Sequence, residues 1–211
     1  MSVEKMNEDK KISFFSFSMV RGLIGLVIGL LLGMGLVTVV RFFMGLEPWF
    51  AEAAWVVGAI FGTIGFMFGT GALSDWLKWA NGVGTPDHPQ ASELSGWRKL
   101  LNISFDHKVI GLQYGVTSLL LFTLAGIFAL TFRTELAASE LQFMKQEADI
   151  LGMSGLNFYN TIMSLHGIVM IGAMLLGVAA LSNYLVPLMI GANDMAFPRL
   201  NAFAYWLNIP A

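Results

Sequence analysis

The chain has 211 residues, 56% apolar and 12% charged, with a formal net charge of −2. A soluble domain carries roughly twice that share of charge, so this composition, with a mean hydropathy of +0.68, reads as an integral membrane protein. The near-neutral balance excludes a nucleic-acid partner and a basic membrane-surface role, and the absence of cysteine excludes disulfides and thiolate metal sites.

Met1–Ser18 is polar and lysine-bearing and reads as a mobile or interfacial tail. The first stretch able to cross hydrocarbon, which takes about 20 residues, is Gly22–Val40 between Arg21 and Arg41. It is too long for a signal-peptide core and lacks a small-residue cleavage site after it, so it is read as retained. A short turn, Phe42–Phe50, carries Trp49 as an interfacial anchor. The second span is Ala53–Leu73, between Glu52 and Asp75. Gly25, Gly29 and Gly33 in the first span, and the pairs Gly58/Gly62 and Gly65/Gly69 in the second, recur at four-residue spacing. Small residues so placed share a helix face and let backbones approach closely. They predict a packed hairpin, or else a docking face for another subunit. Neither span holds a charge, so neither reads as an ion path.

Ser74–Lys108 reads as a connection, with Gly82, Gly84, Pro86 and Pro89 and a more amphipathic piece near Ser95–Leu101. His88, beside Asp87 and Pro89, reads as solvated. The run DHKVIGLQY, Asp106–Tyr114, opens the third span, Val109–Phe132, with Asp106 as an N-cap and His107 and Lys108 at the interface. The span ends in FRTEL, where Arg133 either snorkels to headgroups or donates to a cofactor's polar edge. The loop 134–158 is acidic, with Glu135, Glu140, Glu147 and Asp149, and is expected to hold a short helix around Ser139–Ile150.

The fourth span lies within Thr161–Gly191, too long for one upright helix; it should tilt, or end at Pro187, which lacks an N–H donor. Ile150 to Asn193 contains no Asp, Glu, Lys or Arg, yet it contains His166. An ionisable group in hydrocarbon is costly and needs a partner. His166 is therefore either a neutral histidine bonded to a neighbouring helix or a metal or haem-iron ligand, since neutral imidazole suits iron. Beyond it, Val186–Phe203 places Asp194, Arg199 and Asn201 at one membrane surface, and Tyr205–Ala211 begins a possible fifth span.

Orientation follows the lysines and arginines. With the N-terminus inside, the inner segments hold nine (Lys5, Lys10, Lys11, Arg21, Lys78, Arg98, Lys99, Lys108, Arg199) and the outer ones three (Arg41, Arg133, Lys145). The N-terminus is expected in the cytoplasm.

DHKVIGLQY, FRTEL, FYNTIMSLHG and NYLVPLMIGANDMAFPRLNAFAYW together resemble the start of subunit I of the haem–copper oxygen reductases, the cytochrome c oxidase type, over about Asp106–Ala211. The fold expected is all-α and membrane-integral: about four transmembrane helices plus the start of a fifth, a partial oxidase subunit I bundle. Residues 1–74 read as an N-terminal extension with two spans, 75–105 as a cytoplasmic linker, and 106–211 as the oxidase-like helices I, II and the start of III. The resemblance implies that His166 ligates a low-spin haem iron, the haem being of type a, and that Arg133 hydrogen-bonds its formyl group. It implies that Asp194 is the mouth of a proton channel whose entrance Asn183 and Asn201 line, and that Glu135 contributes to a structural cation site. Quinol-oxidising members carry polar residues where this chain has Leu124, Phe128 and Phe158, so cytochrome c is the expected donor. Other oxidase subunits and membrane lipid are the further partners implied, in a bacterial-type plasma membrane.

The chain has three histidines, too few for both axial positions of the low-spin haem, the high-spin haem and the copper. The second haem and the copper are expected only in an intact subunit, where oxygen would be reduced to water with proton pumping. Either the chain is the front of such a subunit or it is a short relative without the oxygen chemistry. The alternatives are a non-catalytic membrane scaffold or assembly protein, and a quinol-fed oxidase.

Overall fold

A computed structural model describes residues 14–83, 96–137, 143–145 and 147–211. Most of the expected polar tail, and His88, lie outside the described residues. Among the described residues four helices are long and apolar enough to cross a membrane, and the chain is an integral, all-α membrane protein. It divides into two compact units, Met1–Val109 with Asp194–Ala211, and Ile110–Asn193.

The first unit is built on an antiparallel hairpin. Helix α1, Ser18–Phe43, and helix α2, Ala51–Thr70, are apolar on nearly every face, as lipid-facing helices are. The glycines face each other as their spacing predicts. A Cβ placed on Gly25 would overlap the Gly65 carbonyl oxygen, and one on Gly65 would overlap that of Gly25. Gly29 meets Phe61 and Gly33 meets Val57 in the same way. In the turn between the helices, Arg41 Nε donates to the Glu47 carbonyl at 2.8 Å, and its guanidinium lies 4.8 Å from the Phe50 ring centre.

Gly71, at φ +92°, ends α2 and redirects the chain at once into helix α3, Ala72–Ala80. The sequence reading took this stretch as connection because Asp75 and Lys78 break the apolar run. The helix nevertheless forms, since Leu73, Trp76 and Leu77 keep helical spacing. A 3-10 turn, Gly96–Leu101, takes the place of the amphipathic piece. Asn102 Oδ1 then accepts from the Ser18 amide at 3.1 Å, tying this segment to the start of α1.

Helix α4, His107–Ala137, begins behind Asp106, whose carboxylate accepts from the Lys108 amide at 2.8 Å. The expected N-cap is present. His107, expected as an interfacial anchor, is 2% exposed.

In the second unit α4 pairs antiparallel with helix α5, Gly155–Ile190. Its 36 residues span about 54 Å at 1.5 Å per residue. Pro187 does not end it. The helix runs on to Ile190 and stops at Gly191, φ +68°. Pro187 sits in the last turn, where a missing N–H removes one hydrogen bond and leaves the rest of the ladder intact.

The helix pair is registered in steps of seven. Gly111 packs on Ala180 and Tyr184, Ser118 Oγ donates to the Ala173 carbonyl at 2.7 Å, His166 bonds to the Ala125 carbonyl, and Phe132 packs on Tyr159. A strict seven-residue seam keeps one face of each helix against the other along its length.

The expected short helix around Ser139–Ile150 lies partly outside the described residues, and the described part does not form it. Residues 143–145 and 147–150 are not helical, and Asp149–Ile150 (β1) pairs antiparallel with Met153–Ser154 (β2). Leu151 and Gly152, at φ +55° and +78°, make the two-residue turn, and positive φ at both central positions is the hairpin type that strand twist favours.

Helix α6, Pro198–Asn208, belongs to the first unit. It begins at a proline, whose fixed φ suits a first helical turn, rather than at Tyr205. Trp76 of α3 stacks on Phe203 at 5.4 Å, and Phe66 of α2 packs on Trp206 at 6.3 Å, both of the latter pair fully buried.

Candidate functional site

His166 lies on α5, in the seam with α4. Its Nδ1 is 2.9 Å from the Ala125 carbonyl oxygen. A carbonyl can only accept, so Nδ1 carries a proton, and in the neutral ring Nε2 then carries the lone pair. Phe132 packs edge-on against the ring at 5.5 Å and 69°. The imidazole is thereby fixed in tautomer and in plane, the arrangement that second contacts impose on metal-binding histidines. A neutral ring with a free Nε2 fits one axial position on an iron. The sequence points to a partner for His166 but does not name Ala125 or Phe132.

Arg133 follows Phe132 on α4, and its side chain is exposed. One helix step separates the residue that touches His166 from the residue expected to meet a cofactor's polar edge. Glu135, two residues further on, uses Oε2 to accept from the Phe143 and Met144 amides at 3.0 and 3.2 Å. Its carboxylate holds the loop after α4, and among the described residues no three His, Asp or Glu groups are placed to hold a metal ion. Asn183, in the last turns of α5, is 7% exposed and donates from Nδ2 to the Ala179 carbonyl at 2.8 Å.

The other expected site residues fall in the first unit. Asp194 is exposed and accepts from the Met195 amide at 2.8 Å. It lines a pocket of about 480 Å³ together with Trp79, Phe105, Phe197 and Arg199. Arg199 donates to Asp75 at 2.7 Å and stacks over Phe105 at 5.0 Å. Asn201 does not line the pocket; its Nδ2 is buried with no protein partner. Asp75 is the residue that sequence reasoning missed here, taken as the charge that closes the second span.

Comparison with known proteins shows what the second half of the chain is similar to. Residues 109–211 match the family described as cytochrome c and quinol oxidase polypeptide I. Over this stretch, just under half of the chain, the sequence is similar to that family. Cytochrome c oxidase subunit 1 of Thermostichus vulcanus is 43% identical over 128 residues, which cover 60% of this chain and 21% of the relative. The protein of the same name from Synechocystis sp. is 45% identical over 127 residues, covering 60% and 20%. That of Corynebacterium diphtheriae is 40% identical over 112 residues, covering 53% and 18%. The chain thus spans about a fifth of the length of these curated relatives. No solved structure matches significantly. The oxidase resemblance read from the sequence is borne out, and with it the all-α membrane fold.

Proposed function

We propose that the chain is the amino-terminal part of the catalytic subunit of a terminal respiratory oxidase, with residues 1–74 as an added two-span extension, 75–105 as an inner connection and 106–211 as the oxidase-like portion. The observation that carries the reading is His166: its Nδ1–H is committed to Ala125, which leaves Nε2 to ligate a low-spin haem of type a. A haem bound there would supply one-electron transfer, its potential set by axial ligand and hydrogen bonds. Arg133, exposed one step from Phe132, is placed in this reading at the haem's formyl edge. Asp194 takes up protons from the cytoplasmic side, and the buried, unpartnered Nδ2 of Asn201 suits an entrance where water satisfies such groups; Asn183 lines it too. Glu135 remains a candidate for a structural cation, in competition with its two backbone bonds. With three histidines in the chain, the ligands of the oxygen-reducing haem–copper centre come from outside these residues. Oxygen reduction to water and proton pumping are properties of the intact subunit, with its partner subunits, in a bacterial-type plasma membrane. Leu124, Phe128 and Phe158 offer no polar group to a quinol, which favours cytochrome c as donor.

The test is the reduced-minus-oxidised spectrum of the intact oxidase carrying His166→Ala. Loss of the low-spin haem band, with the subunit still present in the membrane, is the expected result. An unaltered band removes His166 from the haem and turns the reading toward a membrane scaffold. Oxygen uptake with reduced cytochrome c against quinol decides the donor.

A further inference from the structure

We propose that Asp75, supplied by α3 where the inner connection begins, is a positioning residue for proton uptake: it holds Arg199 and so keeps Asp194 unpaired. This rests on the reading of Asp194 as the channel mouth, and it adds a residue from outside the family-matched segment 109–211.

Arg199 is bonded to one carboxylate and shares a pocket with another. It lines one pocket with Asp194, and it bonds at 2.7 Å to Asp75, whose side chain is 10% exposed against 25% for Arg199. Phe105 lies under the guanidinium at 5.0 Å, and Trp76 anchors α3 on Phe203. The guanidinium is therefore held from two sides. Asp194 keeps one hydrogen bond, to its neighbour's amide, and has no ion pair among the described residues. A carboxylate forked to an arginine has its oxygens committed to strong charge-assisted bonds and is a poor first stop for a proton. One bound only to a backbone amide keeps a free oxygen toward water. When Asp75 loses its charge, Arg199 loses its partner, and Asp194 is the acid in the same pocket that can replace it. The inner connection thus acts on the oxidase portion by choosing which carboxylate the arginine takes.

The experiment compares Asp75→Asn, Asp194→Asn and the double variant Asp75→Asn with Arg199→Gln in the intact oxidase. Turnover and protons moved per electron are measured in vesicles, with the haem spectrum as the check on assembly. Asp75→Asn is expected to lower turnover by about tenfold, within the range that misplacing one positioned group costs, at unchanged haem content. The double variant is expected to recover most of that loss although it still lacks the ion pair, because no guanidinium remains to capture Asp194. A bond needed only for folding predicts the opposite, a double variant as impaired as the single one, and that result overturns the proposal. It is also overturned if Asp75→Asn pumps normally while Asp194→Asn is impaired. A normal Asp194→Asn enzyme shows instead that the channel reading itself has failed, and the proposal with it. Should Asp75→Asn not assemble, the double variant decides alone: assembly with near-normal turnover supports the proposal, and failure to assemble overturns it.

Discussion

Single residues in this chain are held by few contacts, and each contact has a visible consequence. His166 has one hydrogen bond and one ring against it. Between apolar helices such a bond is worth about 0.6 kcal/mol on average, so it orients the ring more than it holds the helices together. Leu151 shows the opposite case, a residue at odds with its backbone. It occupies φ +55° in the two-residue turn and is 86% exposed. A left-handed conformation costs a β-carbon-bearing residue about 1–2 kcal/mol, and asparagine tolerates it far better. Leu151→Asn should stabilise the turn by about 1 kcal/mol, because almost no packing is lost with the exposed side chain. Hydrogen exchange at the Asp149–Ser154 amides reads this directly: slower exchange is the expected outcome, and faster exchange would mean that the leucine is held by something in the membrane or a partner. The sequence made His166 legible because an imidazole in a charge-free run must find a partner. It hid the turn because Leu-Gly lacks the Asn-Gly signal that normally marks one.

At the scale of elements, the amino-terminal hairpin is the part most closely dictated by sequence. Glycine at four-residue spacing predicts backbone contact, and Gly25 meets Gly65 with no room for a side-chain atom on either. The same helix supplies its own control, because Gly35 has nothing within 4 Å of a built Cβ. Gly25→Leu should therefore destabilise the hairpin by about 1–3 kcal/mol, the usual cost of overpacking. Gly35→Leu should be close to neutral. Thermal unfolding of the purified protein, followed for both variants, separates contact from composition: equal effects would mean that the glycines are merely tolerated small residues. Helix α3 was less legible. Its two charges ended the apolar run by which spans are recognised, and its partners, Arg199 and Phe203, lie far along the chain. No local pattern shows that an acid at position 75 meets a base at 199. The seven-residue seam of α4 and α5 was readable only in retrospect, since its members, Gly111, Ser118, Ala125 and Phe132, share no chemistry. Of the two expectations for the long fourth span, tilt or an end at Pro187, the second does not hold, because the helix continues one further turn to Ile190.

At the scale of the whole molecule, charge placement predicts an orientation that labelling can test. Nine of the twelve lysines and arginines fall in segments that share one side when the spans are counted in order, and three fall on the other. Basic residues near span ends resist translocation, which is what sets orientation. The absence of cysteine makes the test clean, because any introduced thiol is the only one in the chain. Glu47→Cys marks the turn between α1 and α2, and Val83→Cys marks the segment after α3; both positions are exposed. A membrane-impermeant maleimide added to intact cells should label the cysteine at 47 and leave the one at 83 untouched until the membrane is opened. That pattern puts the side bearing Asp75, Asp194 and Arg199 in the cytoplasm, where protons for a respiratory oxidase are drawn. The reverse pattern would place those groups on the proton-release side, and Asp194 could not serve as an uptake mouth whatever its local geometry.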